Sequence, residues 1–378
     1  MEINGISDSL VNKMVKRSNR LGQGRQVAAI GFVDEEGIIS GHSRIIDGGV
    51  SGIPHRLMLA EISHQEKASL LEMINSLPEN AVYVTTDPGQ TGIIVSTSSI
   101  NLFGMPVVKI GIKHQQVAGI GILHPRAEHF RLATRSERAQ LDSLAAATME
   151  EERSALRGVT RLRLKFLEIS QELKSVECEA GEKCLRRSEQ WTLDRVEISS
   201  IEEDFARELV QRSMDTEPGR EVAAYGDVDE EGHITRCSDI IVGGMGYIPS
   251  RLLASAYRDI EGLSLREFYT DIMPADTVIV HTHPGGSGVM HMSDAMAGPG
   301  TWGRPILAVG HNEDGEIKGV MAVQKSDRLF QLADENEELE QRFFEVEDPE
   351  TEVKLRKKRY SIAQEFTDLC QQLELRRR

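Results

Sequence analysis

The chain has 378 residues, 39% hydrophobic and 28% charged, with a formal net charge of −16. That length suffices for two domains of ordinary size, and the acidic balance argues against a general nucleic-acid binder, which needs a basic face. The first residues carry no basic stretch followed by an apolar core, and no apolar run reaches the ~20 residues of a membrane span, so neither a signal peptide nor a span is expected. Cys178, Cys184, Cys237 and Cys370 form no Cys-x-x-Cys pair. A bridge between Cys178 and Cys184 is conceivable from their spacing, but free thiols in a cytoplasmic protein are the expectation.

Read in chain order, the sequence uses one unit twice. Residues 24–37, Gly-Arg-Gln-Val-Ala-Ala-Ile-Gly-Phe-Val-Asp-Glu-Glu-Gly, recur 195 positions later as Gly-Arg-Glu-Val-Ala-Ala-Tyr-Gly-Asp-Val-Asp-Glu-Glu-Gly. Across residues 24–57 the two copies are identical at 21 of 34 positions, which marks a tandem duplication. Each copy opens with an apolar stripe at helical spacing: Leu10, Val11, Met14 and Val15, then Phe205, Ala206, Leu209 and Val210. A strand, an Asp-Glu-Glu-Gly turn and a second strand follow. The Gly-Gly pairs after them lack the Lys-Ser/Thr of a phosphate loop and read as turns. Ile53-Pro54 and Ile248-Pro249 lead into another helix, and further strands follow at 107–112, 117–123, 306–309 and 319–323.

Each copy closes with a charged helical region, about 136–176 and 336–375. The apolar positions Leu162, Leu164, Phe166, Leu167, Tyr360, Ile362, Phe366 and Leu369 predict that these two regions pack against each other. The domains expected are therefore 1–176, a linker over 177–195, and 196–378. The fold class expected is α/β, a mixed curved sheet flanked by helices, made twice.

The chemistry concentrates in one stretch. An apolar β-branched run, Thr277-Val-Ile-Val280, ends in His281-Thr-His283-Pro284-Gly-Gly286, and Asp294 follows at the start of a short helix, with Ser293 as its N-cap. Side chains two apart on a strand share a face, so His281 and His283 project together. Two imidazoles and a carboxylate with one position left open is the ligand count of a catalytic zinc site. A His-rich surface turn is the bland alternative. Against it stands the first copy, where Thr85, Asp87 and Ser98 occupy the corresponding positions inside the same Pro-Gly frame. The scaffold does not need those ligands in order to fold. Glu221 is likewise replaced by Gln26, a side chain of nearly the same shape that cannot accept a proton from water.

These residues resemble the JAMM (MPN+) metalloprotease family: Glu221 ahead of a strand, His281-Thr-His283-Pro284, and Asp294 eleven residues after the second His. The resemblance implies a JAB/MPN fold related to cytidine deaminases, with Zn2+ held by His281, His283 and Asp294. It also implies cleavage of peptide or isopeptide bonds, often at the C-terminus of a ubiquitin-like protein. Copy one resembles an inactive MPN− domain, so either pairing of the two domains within the chain or a homo-oligomer is expected, with a protein or peptide substrate and no membrane. The family has Ser three residues before the Asp, donating to the oxyanion. His291 stands there in this chain, and either His291 or, through a register shift, Ser293 takes that role, or the oxyanion hole is weakened. The alternative function is a non-catalytic scaffold or binding module that retains the metal site. A zinc nucleoside deaminase would need His-x-Glu together with Pro-Cys-x-x-Cys, and the chain has no Pro-Cys-x-x-Cys.

Overall fold

The computed structural model describes residues 2–50, 52–94, 98–146, 148–183, 190–216 and 219–377. It contains two α/β units of the same topology, each a curved mixed sheet with helices on both faces. In the first, Val27–Val33 lies between Ile38–His42 and Ala81–Pro88, and Val107–Lys113 and Gln116–Leu123 continue the sheet. In the second, Arg220–Val228 lies between His233–Arg236 and Thr277–Pro284, followed by Ile306–His311 and Ile317–Val323. The parallel step from Thr277–Pro284 to Ile306–His311 needs a crossover, and the candidate site lies in that crossover.

The opening helices form as the apolar stripes require. Asp8–Leu21 is capped by the Ser7 hydroxyl, which accepts from the Leu10 amide, and buries Leu10 and Met14 completely. Glu203–Met214 buries Ala206 and Leu209 in the same manner. Full burial of each Leu or Met side chain contributes about 1.5–3 kcal/mol. Both helices cover one face of their sheet, and the later helices of each copy cover the other.

The C-terminal regions are helical as expected up to residues 169 and 368, each as two helices. Helices run over Ala127–Leu144 and Met149–Ile169 in copy one, and over Asp327–Phe343 and Pro349–Asp368 in copy two. Beyond them the chain becomes a strap. Gln171–Glu172 pairs with Gln116–Leu123 at one sheet edge, and Ser175–Val176 pairs with Gly5–Ser7 at the other. Gln371–Gln372 and Glu374–Arg376 do the same in copy two, with Leu173 and Leu373 buried between the two pairings. The strap joins both edges of each sheet, so curvature removes the exposed edges that an open sheet would leave. The strand Gly181–Glu182, inside the expected linker, pairs with Ile38–His42, so the first sheet extends past residue 176.

The two helical regions do not make their main contacts with each other. Asp327–Phe343 packs on the short helix His55–Ser63 of copy one, and Ala127–Leu144 packs on Ser250–Tyr257 of copy two. The crossing is pseudo-symmetric. Arg56, fully buried, lies 5.0 Å from the Phe330 ring and pairs with Asp334 at 2.8 Å. Arg251, also fully buried, lies 5.5 Å from the Phe130 ring and donates to Thr134 Oγ1 at 2.8 Å. Glu337 accepts from the Arg56 and Leu57 amides, and Glu137 from the Arg251 and Leu252 amides. Each carboxylate thus caps a helix N-terminus of the opposite copy, where the free amides and the helix dipole favour negative charge. Cys178, Cys237 and Cys370 are free thiols, and Cys184 lies outside the described residues. Among the described residues, no helix is long and apolar enough to cross a membrane.

Candidate metal centre

His281 and His283 sit at the end of Thr277–Pro284, the strand that β-branched Val278, Ile279 and Val280 make a buried core element. Their rings project to one side, with the two Nε2 atoms 2.9 Å apart. Small neighbours leave them room. His281 pairs with Ala223 on one side and Ala308 on the other, and His283 pairs with Gly310. After Pro284 the chain doubles back so closely over Ile306–His311 that a Cβ on Gly310 would sit 2.1 Å from the Gly288 amide nitrogen. Only glycine permits this approach, and it delivers the chain to the short helix Met292–Ala295 that carries Asp294.

Asp294 Oδ1 lies 4.0 Å from His281 Nε2, and Asp294 Oδ2 lies 3.8 Å from His283 Nε2. One donor atom from each of the three residues falls within 4.8 Å of the others. Zinc bonds of about 2.0–2.1 Å put the donors of a tetrahedral site about 3.4 Å apart, a spacing the three observed distances bracket. Burial, then the neighbouring His283 ring, lowers the His281 pKa to about 4, with Asp294 opposing. Burial also lowers that of His283. A neutral ring keeps one nitrogen lone pair available, the form a metal requires. His281 Nδ1 has no partner at hydrogen-bond geometry, although the Leu307 carbonyl near it favours its protonated form. A ligating imidazole usually directs its other ring nitrogen at such a carbonyl. The donor set fits a zinc ion.

Glu221 stands at a β-bulge of Arg220–Val228, where the register against Ile241–Met245 slips between Arg220 and Val222. Bulges re-aim side chains beside active sites. The neighbouring Val222 amide donates to Thr282 Oγ1 at 3.1 Å, locking this strand to the one bearing the histidines. Burial first, and the Asp294 charge second, push the Glu221 carboxyl up to about 7.

The other sequence-derived candidates lie differently. The N-cap is His291, not Ser293: helix Met292–Ala295 begins one residue before Ser293. The His291 backbone amide donates to Asp294 Oδ2 at 3.1 Å, fixing the carboxylate of the candidate ligand. The His291 and Ser293 side chains are both exposed, and no hydrogen bond among the described residues joins Ser293 to the His281–His283–Asp294 group.

In copy one the frame is preserved and the contents are exchanged. The Thr86 hydroxyl accepts from the Val27 amide, as Thr282 does from Val222. Thr85 donates to the Val27 carbonyl, and the Gln26 side-chain Nε2 donates to the Val50 carbonyl. Asp87 lies 3.7 Å from Lys109 Nζ. Lys109 pairs with Thr85 on the adjacent strand, the position that Ala308 holds beside His281. An ammonium therefore answers the Asp87 charge in copy one. Sequence reasoning missed Lys109, although alignment of Val-Lys-Ile-Gly111 with Leu-Ala-Val-Gly310 carried the signal. The Ser98 side chain lies outside the described residues. Comparison of the chain with protein-family models, with curated proteins and with solved structures found no match.

Proposed function

We propose that the second copy is a zinc-dependent metallohydrolase of the JAMM (MPN+) type, with a JAB/MPN fold, that cleaves peptide or isopeptide bonds. The C-terminus of a ubiquitin-like protein is the substrate class this reading favours. The observation that carries it is the convergence of His281, His283 and Asp294, with Glu221 on the neighbouring strand, and the exchange of all four in the copy that keeps the same frame. Bound zinc supplies a water of lowered pKa and a Lewis acid for the scissile carbonyl. The chain's own residues do the rest. His281 and His283 ligate as neutral imidazoles, and Asp294, fixed by the His291 amide, adds the charged ligand. Glu221 accepts a proton from the attacking water and returns it to the departing nitrogen. A carboxyl that titrates near 7 is matched to both halves of that transfer. His291 donates to the developing oxyanion in the position where the family carries Ser.

Glu221→Gln tests the assignment. The variant keeps one zinc per chain by mass spectrometry, while kcat on a ubiquitin-like C-terminal fusion falls by about 10²–10⁴. Unchanged turnover would remove Glu221 as the base. One observation favours a second reading, a scaffold or binding module that holds metal without catalysis: His291 stands where the family's oxyanion donor is expected. That reading predicts that the wild-type chain binds the fusion and leaves it intact.

A further inference from the structure

Helix Met149–Ile169 in copy one and helix Pro349–Asp368 in copy two occupy the same place in their units, each followed by the strap. With an offset of 200 their inward residues agree: Phe166 and Phe366 are both buried, and Leu162 matches Ile362. The outward residues do not agree. Met149, Leu156, Leu164 and Leu167 are 68%, 49%, 53% and 37% exposed. Their counterparts are Pro349, Arg356, Gln364 and Thr367. The scaffold tolerates polar residues at three of these positions and proline at the fourth, as copy two demonstrates, so folding of the unit does not account for the four exposed apolar side chains. With Thr160 between Leu156 and Leu164, they recur at helical spacing along one face of a helix about 31 Å long.

Charge along this helix is uneven: Glu150, Glu151 and Glu152 fill its first turn, Arg153 and Arg157 follow in the first half, and Arg161, Arg163 and Lys165 outweigh Glu168 in the second half. Glu152 and Arg163, eleven residues or three turns apart, flank the apolar face on the same side, and no ion pair within the chain engages either among the described residues. In copy two, Glu352 pairs instead with Arg356 at 2.7 Å, at the position that Leu156 takes in copy one.

We propose that this face binds a second copy of the chain through antiparallel pairing of Met149–Ile169 with itself. The pairing sets Met149 beside the second copy's Leu167 and Glu152 beside the second copy's Arg163. Two-fold symmetry makes each contact twice, and antiparallel helices set the acidic first turn of one against the basic half of the other. A parallel pairing would stack like charges and is disfavoured. One helix face per chain is a small contact, so the dimer belongs with the weak, concentration-dependent class.

Sedimentation velocity on the full chain over ~1–100 μM, a range chosen to span weak association, tests this. The weight-average mass is expected to rise from one chain toward two. Arg163→Glu and Glu152→Arg each weaken association about tenfold or more, and the double variant E152R/R163E regains it. In a second measurement, the double variant M149C/L167C forms an intermolecular disulfide under mild oxidation, and the variant carrying M149C alone does not. A wild-type chain monomeric throughout, or an R163E variant that associates as well as the wild type, overturns the proposal.

Discussion

In copy two the His281 and His283 rings face the Asp294 carboxylate at 4.0 and 3.8 Å, while in copy one Lys109 stands 3.7 Å from Asp87. The two sites share strand order, register and the Thr hydroxyl that ties the neighbouring strand. The difference separates two demands on the same pocket. A partly enclosed carboxylate is stabilised by positive charge beside it, and Lys109 supplies that charge to Asp87. The proposed hydrolysis would require a cation with an open coordination position, which a lysine cannot offer.

The comparison breaks most sharply at a ligand. His283→Ala is expected to lose the zinc found in the wild-type chain, measured by mass spectrometry after metal-replete expression, together with all turnover. Zinc retained in full would show that His283 is not a ligand and would dissolve the contrast between the copies. A zinc-free wild-type chain would shift the assignment to the scaffold reading.

The crossing between copies gives a second, smaller contrast. Arg56 faces a carboxylate, Asp334, whereas Arg251 faces a hydroxyl, Thr134. Arg56→Ala strands Asp334 at the buried crossing and is expected to cost about 3–5 kcal/mol. Arg251→Ala removes neutral-partner hydrogen bonds and costs about 1–3 kcal/mol. Urea unfolding of both variants measures the difference, and a larger loss for Arg251→Ala would reverse the ranking.

A pH-dependent effect concerns the reciprocal caps. Burial pushes Glu337 up to about 7, against the amides of Leu57 and Arg56 that hold it down. The folded state therefore binds this proton more tightly than the unfolded state does, where a glutamate titrates near 4.5. The stability attached to it is present below that value and is lost as pH rises toward 7. Glu337→Gln should flatten this fall in thermal midpoint between pH 4.5 and 7. An unchanged slope in the variant would assign the dependence to other groups.

Much of the site was legible in the linear chain because its determinants are local or repeated. The alternation of a strand puts His281 and His283 on one face, a short loop returns Asp294, and the duplication supplies an internal control at Thr85, Asp87 and Gln26. The helix stripes at Leu10–Val15 and Phe205–Val210 follow from period alone. The start of the Asp294 helix was misjudged by two residues, because a histidine rather than the better-capping serine precedes it.

Tertiary structure decided what has no local signature. The strap is six polar-rich residues in each copy, 171–176 and 371–376, that look like the end of a helix, and it becomes a strand only because two sheet edges curve to meet it. Lys109 lies 22 residues from Asp87 in sequence and reaches it across a parallel pairing. Arg56 with Asp334, and Glu137 with the amides of Arg251 and Leu252, join positions more than 100 residues apart. A charged residue on a helix reads as solvated until the chain brings another unit against it. Sequence therefore carried the local geometry of the ligands, and packing alone decided which charges meet.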